Sequence, residues 1–262
     1  GQDGARTVGR SADEPVAPER SALHSRGVDG VIALVGSGEF TPAMAEVDRA
    51  LLAATGSQRP RVTILPTASW PDGERVFRRW AELGAAHFDA LGADVLPVPL
   101  RDRAGAEDPE IVAALEAADL VYLSGGKPGH LLDALEGTPA GAAIRSAHGR
   151  GAVLAGCSAG AMVLGGHQLR VRRARRRLPI GWTPSLGIVP GVIVVPHYDT
   201  IPETLLAPFA LMAPRDAWVV GIDEETAFIG RAGTWQVRGP GRVTIWRGGR
   251  RERLREPAIV RV

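Results

Sequence analysis

Two nucleophilic side chains stand side by side in this sequence. Cys157 and Ser158 lie at the centre of the stretch AVLAGCSAGAMVLG, residues 152–165. An apolar run ends in Gly-Cys-Ser-Ala-Gly, and small helix-forming residues follow at once. Gly-x-Ser-x-Gly between a strand and a helix is the pattern of a nucleophile elbow. The turn is tight, so the apex residue takes a strained backbone and its neighbours must be small. Here those neighbours are Gly156, Ala159, Gly160 and Ala161. The next N–H and the positive end of the helix then face the nucleophile, where an oxyanion would form. Ser158 occupies the apex. Cys157 precedes it and reads as a small buried filler, since free cysteine is among the most buried residue types.

A serine needs a base. Only His167 and His197 follow the elbow. His167 lies in a Gly-rich and then Arg-rich segment. His197 closes the apolar run VIVVPH and falls at the same sheet edge as Ser158. A neutral imidazole there would accept the serine proton. No Asp or Glu lies between Ser158 and His197. The acids that could orient the ring come later: Asp199, Glu203, and the run Asp223-Glu224-Glu225. Asp199 is two residues past the histidine, so in an extended segment it projects to the same side. Asp223 and Glu224 end a predicted strand and would also reach.

These groups need a scaffold that brings them to one edge. From Val31 the chain alternates short apolar runs with amphipathic ones. Strands are predicted at Val31–Val35, Val62–Leu65, Asp94–Val98, Leu120–Leu123 and Ala152–Ala155. Between them come helices: one opened by Thr41-Pro42, one over Glu74–Leu91, one opened by Asp108-Pro109, one around His130–Leu135 and one opened by Thr138-Pro139. This order implies an α/β fold with a mostly parallel central sheet and helices on both faces. Later runs (Val192–Val195, Trp218–Ile222, Thr226–Ile229, Thr234–Val237 and Val243–Trp246) read as short strands. They are expected to extend the sheet or to form antiparallel hairpins on its edge. Ligands of such sheets bind outside the carboxyl ends of the strands. Three loops follow strands at that edge: GSGEF (36–40), SGGKPG (124–129) and GCSAG (156–160). One of the amides of Gly125 and Gly126 would supply a second oxyanion donor. Gly38, Glu39, Gly125 and Lys127 are substrate-binding candidates. For Glu39 the competing role is a helix-start carboxylate favoured by the dipole.

Composition narrows the class. The chain has 262 residues, 45% hydrophobic and 23% charged, with a formal net charge of +2. That is ordinary for a water-soluble globular protein and gives no case for nucleic acid as a partner. The basic run 169–177 (LRVRRARRR) reads as a solvated flank rather than a nucleic-acid surface. No apolar run is long enough to span a bilayer, so no membrane partner is expected. One cysteine allows no intramolecular disulfide, which fits a cytoplasmic setting. Residues 1–30 lack apolar periodicity and read as a tail, leaving 31–262 as one catalytic domain. No metal or cofactor is called for, and a homodimer is a permitted assembly.

In order along this αβ pattern, the motifs GCSAGAMVLG, LSGGKPGHLL, PHYDT and GIDEETAFIG resemble a known family. It is the serine peptidase family of aspartyl dipeptidase (dipeptidase E) and cyanophycinase, within the class I glutamine amidotransferase-like fold. The resemblance covers about Val31 to Ile229. It implies Ser158 as nucleophile, His197 as base, and Gly126 and Ala159 as oxyanion donors. Two departures stand out. Dipeptidase E carries its acid between serine and histidine, where this chain has arginines; amidotransferases of the wider fold place a glutamate two residues after the histidine, a spacing that Asp199 occupies, so the resemblance ranks Asp199 first and Glu224 second. Cyanophycinases carry Asp-Gln before the histidine and arginines soon after, where this chain has Val195-Pro196 and Thr200-Ile201. The implied activity is hydrolysis of small peptides through an acyl-enzyme. The implied preference is for acidic peptides, with a carboxylate held by Arg170, Arg172 or Arg173 through paired charge-assisted hydrogen bonds. The competing reading is a silent member that binds a small ligand in the same cleft.

Overall fold

A computed structural model describes residues 29–171, 180–214, 216–231 and 233–261. Most of the segment predicted as a tail lies outside them. The first half runs β1 (Ile32–Val35), α1 (Ala45–Ala54), β2 (Arg61–Leu65), α2 (Glu74–Ala90), β3 (Asp94–Pro97), α3 (Pro109–Glu116), β4 (Leu120–Leu123), α4 (Pro128–Leu135), α5 (Pro139–Gly149), β5 (Val153–Cys157) and α6 (Ala159–Leu164). The second half runs β6 (His167–Val171), β7 (Ile180–Pro184), β8 (Val192–Val195), α7 (Glu203–Leu211), β9 (Trp218–Ile222), β10 (Ala227–Arg231), β11 (Thr234–Arg238), β12 (Val243–Arg247), β13 (Arg250–Leu254) and β14 (Ile259–Arg261).

The central sheet has eight strands in the order β14-β11-β10-β1-β5-β4-β2-β3. Its five βα strands are parallel, and β10, β11 and β14 add an antiparallel flank beside β1. Successive residues of a strand face opposite sides, and both sides are covered. Ala33 and Val35 of β1, Leu120 and Tyr122 of β4, and Val153, Ala155 and Cys157 of β5 pack with Val47 and Leu51 of α1 and Phe88 of α2. Leu34, Val121, Leu123 and Leu154 point the other way, into a core shared with α3, α4, α5 and α6. Burial on both faces is why these strands are apolar without interruption.

The later strands divide between two sheets. β10 and β11 extend the central sheet, as expected for part of the set. β9 and β12 instead join β8 and β13 in a separate sheet of order β13-β12-β9-β8. Val192, Val194, Val220, Ile222, Val243 and Ile245 of that sheet enter the same core as α3–α6. Within it β8 and β9 are parallel, with Val195 opposite Gly221.

Local signals worked where the side chain could cap. Asp108 accepts the Glu110 N–H at 2.8 Å, and Thr138 accepts the Gly141 N–H at 3.2 Å. Thr41 does not cap. Its hydroxyl donates back to Gly38 O at 2.8 Å, and Pro42–Met44 form a 3-10 turn before α1 begins. The loop predicted after β2 contains a 3-10 helix, Thr67–Asp72. The basic run begins inside β6, and its positions 172–179 lie outside the described residues.

Candidate active site

The elbow forms because β5 and α6 approach to backbone contact. A Cβ on Gly156 would lie 2.5 Å from Gly160 C, and one on Gly160 would lie 2.2 Å from Leu123 O. No larger residue fits either place without moving backbone. Ser158 sits at the apex with φ 49° and ψ −108°. Its N–H donates to Val35 O at 2.9 Å, so the β1–β5 ladder holds the strained residue. Strain of this kind persists only where the surroundings fix it.

His197 reaches the same point from β8. It takes the left-handed region, φ 53° and ψ 37°, and Tyr198–Thr200 wrap into a 3-10 turn behind it. Its Nε2 lies 2.9 Å from Ser158 Oγ. Its Nδ1 lies 2.8 Å from Glu224 Oε1. A carboxylate only accepts, so this contact sets the proton on Nδ1 and leaves Nε2 to accept from the serine hydroxyl. The parallel register of β8 and β9 explains the meeting. Val195 opposes Gly221, so the residues just past both strands share one edge.

Asp199, ranked first on spacing, does not orient the ring in this geometry. The segment after His197 is a 3-10 turn rather than extended chain, so the same-side rule for strands does not apply. The Asp199 carboxylate instead accepts the backbone N–H of Glu224 at 3.0 Å. Asp223 is buried, and its Oδ2 accepts Arg242 N–H at 2.9 Å and Arg242 Nε at 3.3 Å, tying β9 to β12. Glu203 binds Arg253 at 2.8 Å and contacts Arg251, away from the imidazole.

Cys157 and Ser158 point to different places. The thiol is buried in the core beneath α1 and α2, and donates to Glu39 Oε2 at 2.9 Å. Burial first, and then the neighbouring Glu39 charge, push it well above the ordinary thiol range. A thiol held protonated is a poor nucleophile.

The oxyanion candidates divide cleanly. Gly125 is buried and donates its N–H to Glu39 Oε1 at 2.8 Å. Gly126 is exposed, with φ 141°. Among the described residues neither the Gly126 nor the Ala159 N–H has a hydrogen-bond acceptor. Both are therefore free to bind an anion. Lys127 holds its ammonium 3.3 Å from Asp72 Oδ1. Gly38 packs against Glu225, whose Cγ would lie 2.9 Å from an added Cβ. Glu39 is 8% exposed, with one carboxylate oxygen bonded to the Gly125 N–H and the other to the Cys157 thiol. Arg170 pairs through its backbone with Gly181. Arg172 and Arg173 lie outside the described residues.

Two residues of the site, Tyr198 and Trp246, stand outside the expectations drawn from the sequence, and Glu203 takes a different part from the one considered there. Tyr198 is buried against Gly221, where a Cβ would lie 2.1 Å from the ring. Its hydroxyl accepts Trp246 Nε1–H at 2.8 Å and donates to Glu203 Oε1 at 3.4 Å. Together Tyr198, Trp246 and Glu203 pin the turn that carries His197. A glycine inside an apolar strand signals such a close approach, and Gly221 was that signal.

Comparison with known proteins gives the family and the fold. The model of peptidase family S51 matches residues 32–237. The chain belongs to peptidase family S51. Among curated S51-like relatives, a cyanophycinase from Nostoc sp. is 32% identical over 222 residues, covering 82% of this chain and 72% of the relative. One from Synechococcus elongatus is 30% identical, covering 84% and 68%. A peptidase structure from an acI-B1 actinobacterium superposes with a TM-score of 0.81 at 34% identity, covering 90% of this chain and 98% of that one. A candidate peptidase E from Listeria monocytogenes EGD-e shares the fold, with a TM-score of 0.58 at 20% identity, covering 81% and 100%. As an S51 chain this is a serine peptidase. Among the described residues, no helix is long and apolar enough to cross a membrane, and no group of three or more His, Cys, Asp or Glu could hold a metal ion.

Proposed function

We propose that this S51 peptidase cleaves short peptides through an acyl-enzyme on Ser158, in a cytoplasmic setting. The observation that carries the reading is the two-step relay, 2.9 Å from Ser158 Oγ to His197 Nε2 and 2.8 Å from His197 Nδ1 to Glu224. Ser158 Oγ attacks the amide carbonyl while its proton passes to Nε2. Glu224 stabilises the imidazolium that results. The oxyanion is received by the Gly126 and Ala159 amides. The amine leaves with the proton from Nε2, and water then repeats the sequence to free Ser158. Glu224 supplies the acid missing between serine and histidine, which removes the main support for a silent site.

The preferred substrate in this proposal is a short peptide with an acidic residue at the cleaved bond. Family likeness and the arginines at 170–173 support it. Cyanophycin, named in the relatives, is the competing substrate. The test is fluorophosphonate labelling with peptide mapping, followed by a panel of Asp-X, Leu-X and Ala-X dipeptides beside cyanophycin. Label on Ser158 and faster cleavage of Asp-X are expected. Cleavage of cyanophycin alone, or equal cleavage of all three dipeptides, would defeat the acidic-dipeptide reading.

A further inference from the structure

We infer that Glu39 is a positioning residue that sets the spacing between the two halves of the oxyanion site. One carboxylate oxygen takes the Gly125 N–H at 2.8 Å, and the other takes the Cys157 thiol at 2.9 Å. Gly125 precedes the donor Gly126, and Cys157 precedes the nucleophile Ser158. The same side chain thus grips the loop after β4 and the elbow after β5. The inference rests on the serine-peptidase reading of Ser158.

The surroundings give the carboxylate little room to shift. A Cβ on Gly125 would lie 2.9 Å from Glu39 Oε1 and 3.3 Å from Ser158 Cβ, so loop, acid and nucleophile are in contact. Phe40, held at φ 64°, packs its ring 5.0 Å from that of Tyr122 and 6.1 Å from that of Phe88. On the other side, Gly36 N–H donates to Thr226 O at 2.9 Å and Glu225 N–H to Ser37 O at 3.2 Å. The GSGEF loop therefore also borders the segment that carries Glu224. Its acid is held by fixed neighbours on both flanks.

The chemical consequence follows from distance. An oxyanion donor works at about 2.7–3.1 Å from the developing charge, and a misplacement of about 1 Å can cost roughly 10²-fold in rate. Because Glu39 takes the Gly125 N–H, that amide cannot compete for the oxyanion. Gly126 is left as the donor from this loop. The effect belongs to the transition state, so it acts on turnover and leaves ground-state binding alone.

Three variants test this. Glu39→Gln keeps an acceptor for Gly125. Glu39→Asp keeps the charge but is too short to span both partners. Glu39→Ala removes both contacts. Two readouts are followed: the second-order rate of fluorophosphonate labelling at Ser158, and amide hydrogen exchange over residues 121–127 by mass spectrometry. Expected is a loss of labelling rate of about 10²-fold for Ala, a substantial loss for Asp, and less than about tenfold for Gln. Faster exchange over 124–126 should accompany it in Ala and Asp. KM for any cleaved peptide should stay within about twofold. Wild-type labelling and exchange in Asp or Ala would overturn the inference. So would a Gln variant with normal exchange and a sharply raised KM, the mark of a carboxylate that binds a substrate amine. A wild-type chain that takes no label defeats the peptidase reading instead, and unchanged exchange in the variants then defeats the clamp on its own.

Discussion

Asp199 and Glu224 meet through the backbone: Asp199 Oδ1 accepts the Glu224 N–H at 3.0 Å, and the Glu224 carboxylate is left for His197. The two contacts lie in series, and in the proposed mechanism Asp199 positions the Glu224 main chain while Glu224 orients the imidazole. Glu224→Gln should lower turnover by up to about four orders of magnitude, the scale of losing an orienting acid in such triads. Asp199→Ala removes one backbone hydrogen bond worth about 1 kcal/mol, so a loss of about fivefold is expected. Steady-state kinetics on the two variants decide the order. A crippled Asp199 variant beside a healthy Glu224→Gln would reverse it.

Ser158→Ala should abolish fluorophosphonate labelling and leave the melting temperature nearly unchanged, since it removes one oxygen at a half-buried apex. Cys157 should resist iodoacetamide in the native protein and react only after denaturation, because it is buried and held protonated. Label that persists in the Ser158 variant, or that maps to Cys157, would contradict both statements.

Gly160→Ala should destabilise the fold rather than merely slow the reaction. Its Cβ would lie 2.2 Å from Leu123 O, and neither backbone has space to yield. Overpacking of this kind costs about 1–3 kcal/mol or more. Differential scanning fluorimetry should show a lower melting temperature than wild type. An unchanged melt would mean that the close approach of α6 to β4 is wrong.

Much of this was legible in the residues. The strands Leu120–Leu123, Val192–Val195 and Trp218–Ile222 were predicted to the residue because uninterrupted apolar runs have few other uses. The elbow was legible because its glycines mark contacts that only a missing Cβ permits. The acid was not. Glu224 lies 27 residues after His197, and only the pairing of β8 with β9 brings them together. Strand pairing between distant segments leaves no local trace, so the nearer Asp199 took precedence. The partners of Glu39 are hidden for a similar reason: Gly125 and Cys157 lie 86 and 118 positions away. The division of the late strands between two sheets was hidden in the same way.

Glu203 gives a pH-dependent prediction. Hydrogen bonding from Arg253, then the charges of Arg251 and Arg253, hold its carboxyl below the ordinary value of 4.5, against some desolvation. A lowered folded value means the unfolded chain binds the proton more readily. The stabilisation is therefore full above about 4.5 and is lost as pH falls through the lowered folded value. Glu203→Gln should melt below wild type at neutral pH, and the gap should close in strong acid. The gap should be small, since the ion pairs are partly solvated. Thermal melts across pH check it; a gap that widens on acidification would contradict the sign.

Lys127 is the only lysine in the sequence, and it directly follows Gly126. Every other basic side chain of the Lys/Arg type is arginine, which acylating dyes leave untouched. An amine-directed fluorophore thus has a single lysine to find, beside the loop that is proposed to receive the oxyanion. The label would break the contact with Asp72, so its emission would respond to what fills the neighbouring space. The chain thereby carries a built-in attachment point for an optical reporter, usable in a ligand screen that does not depend on turnover.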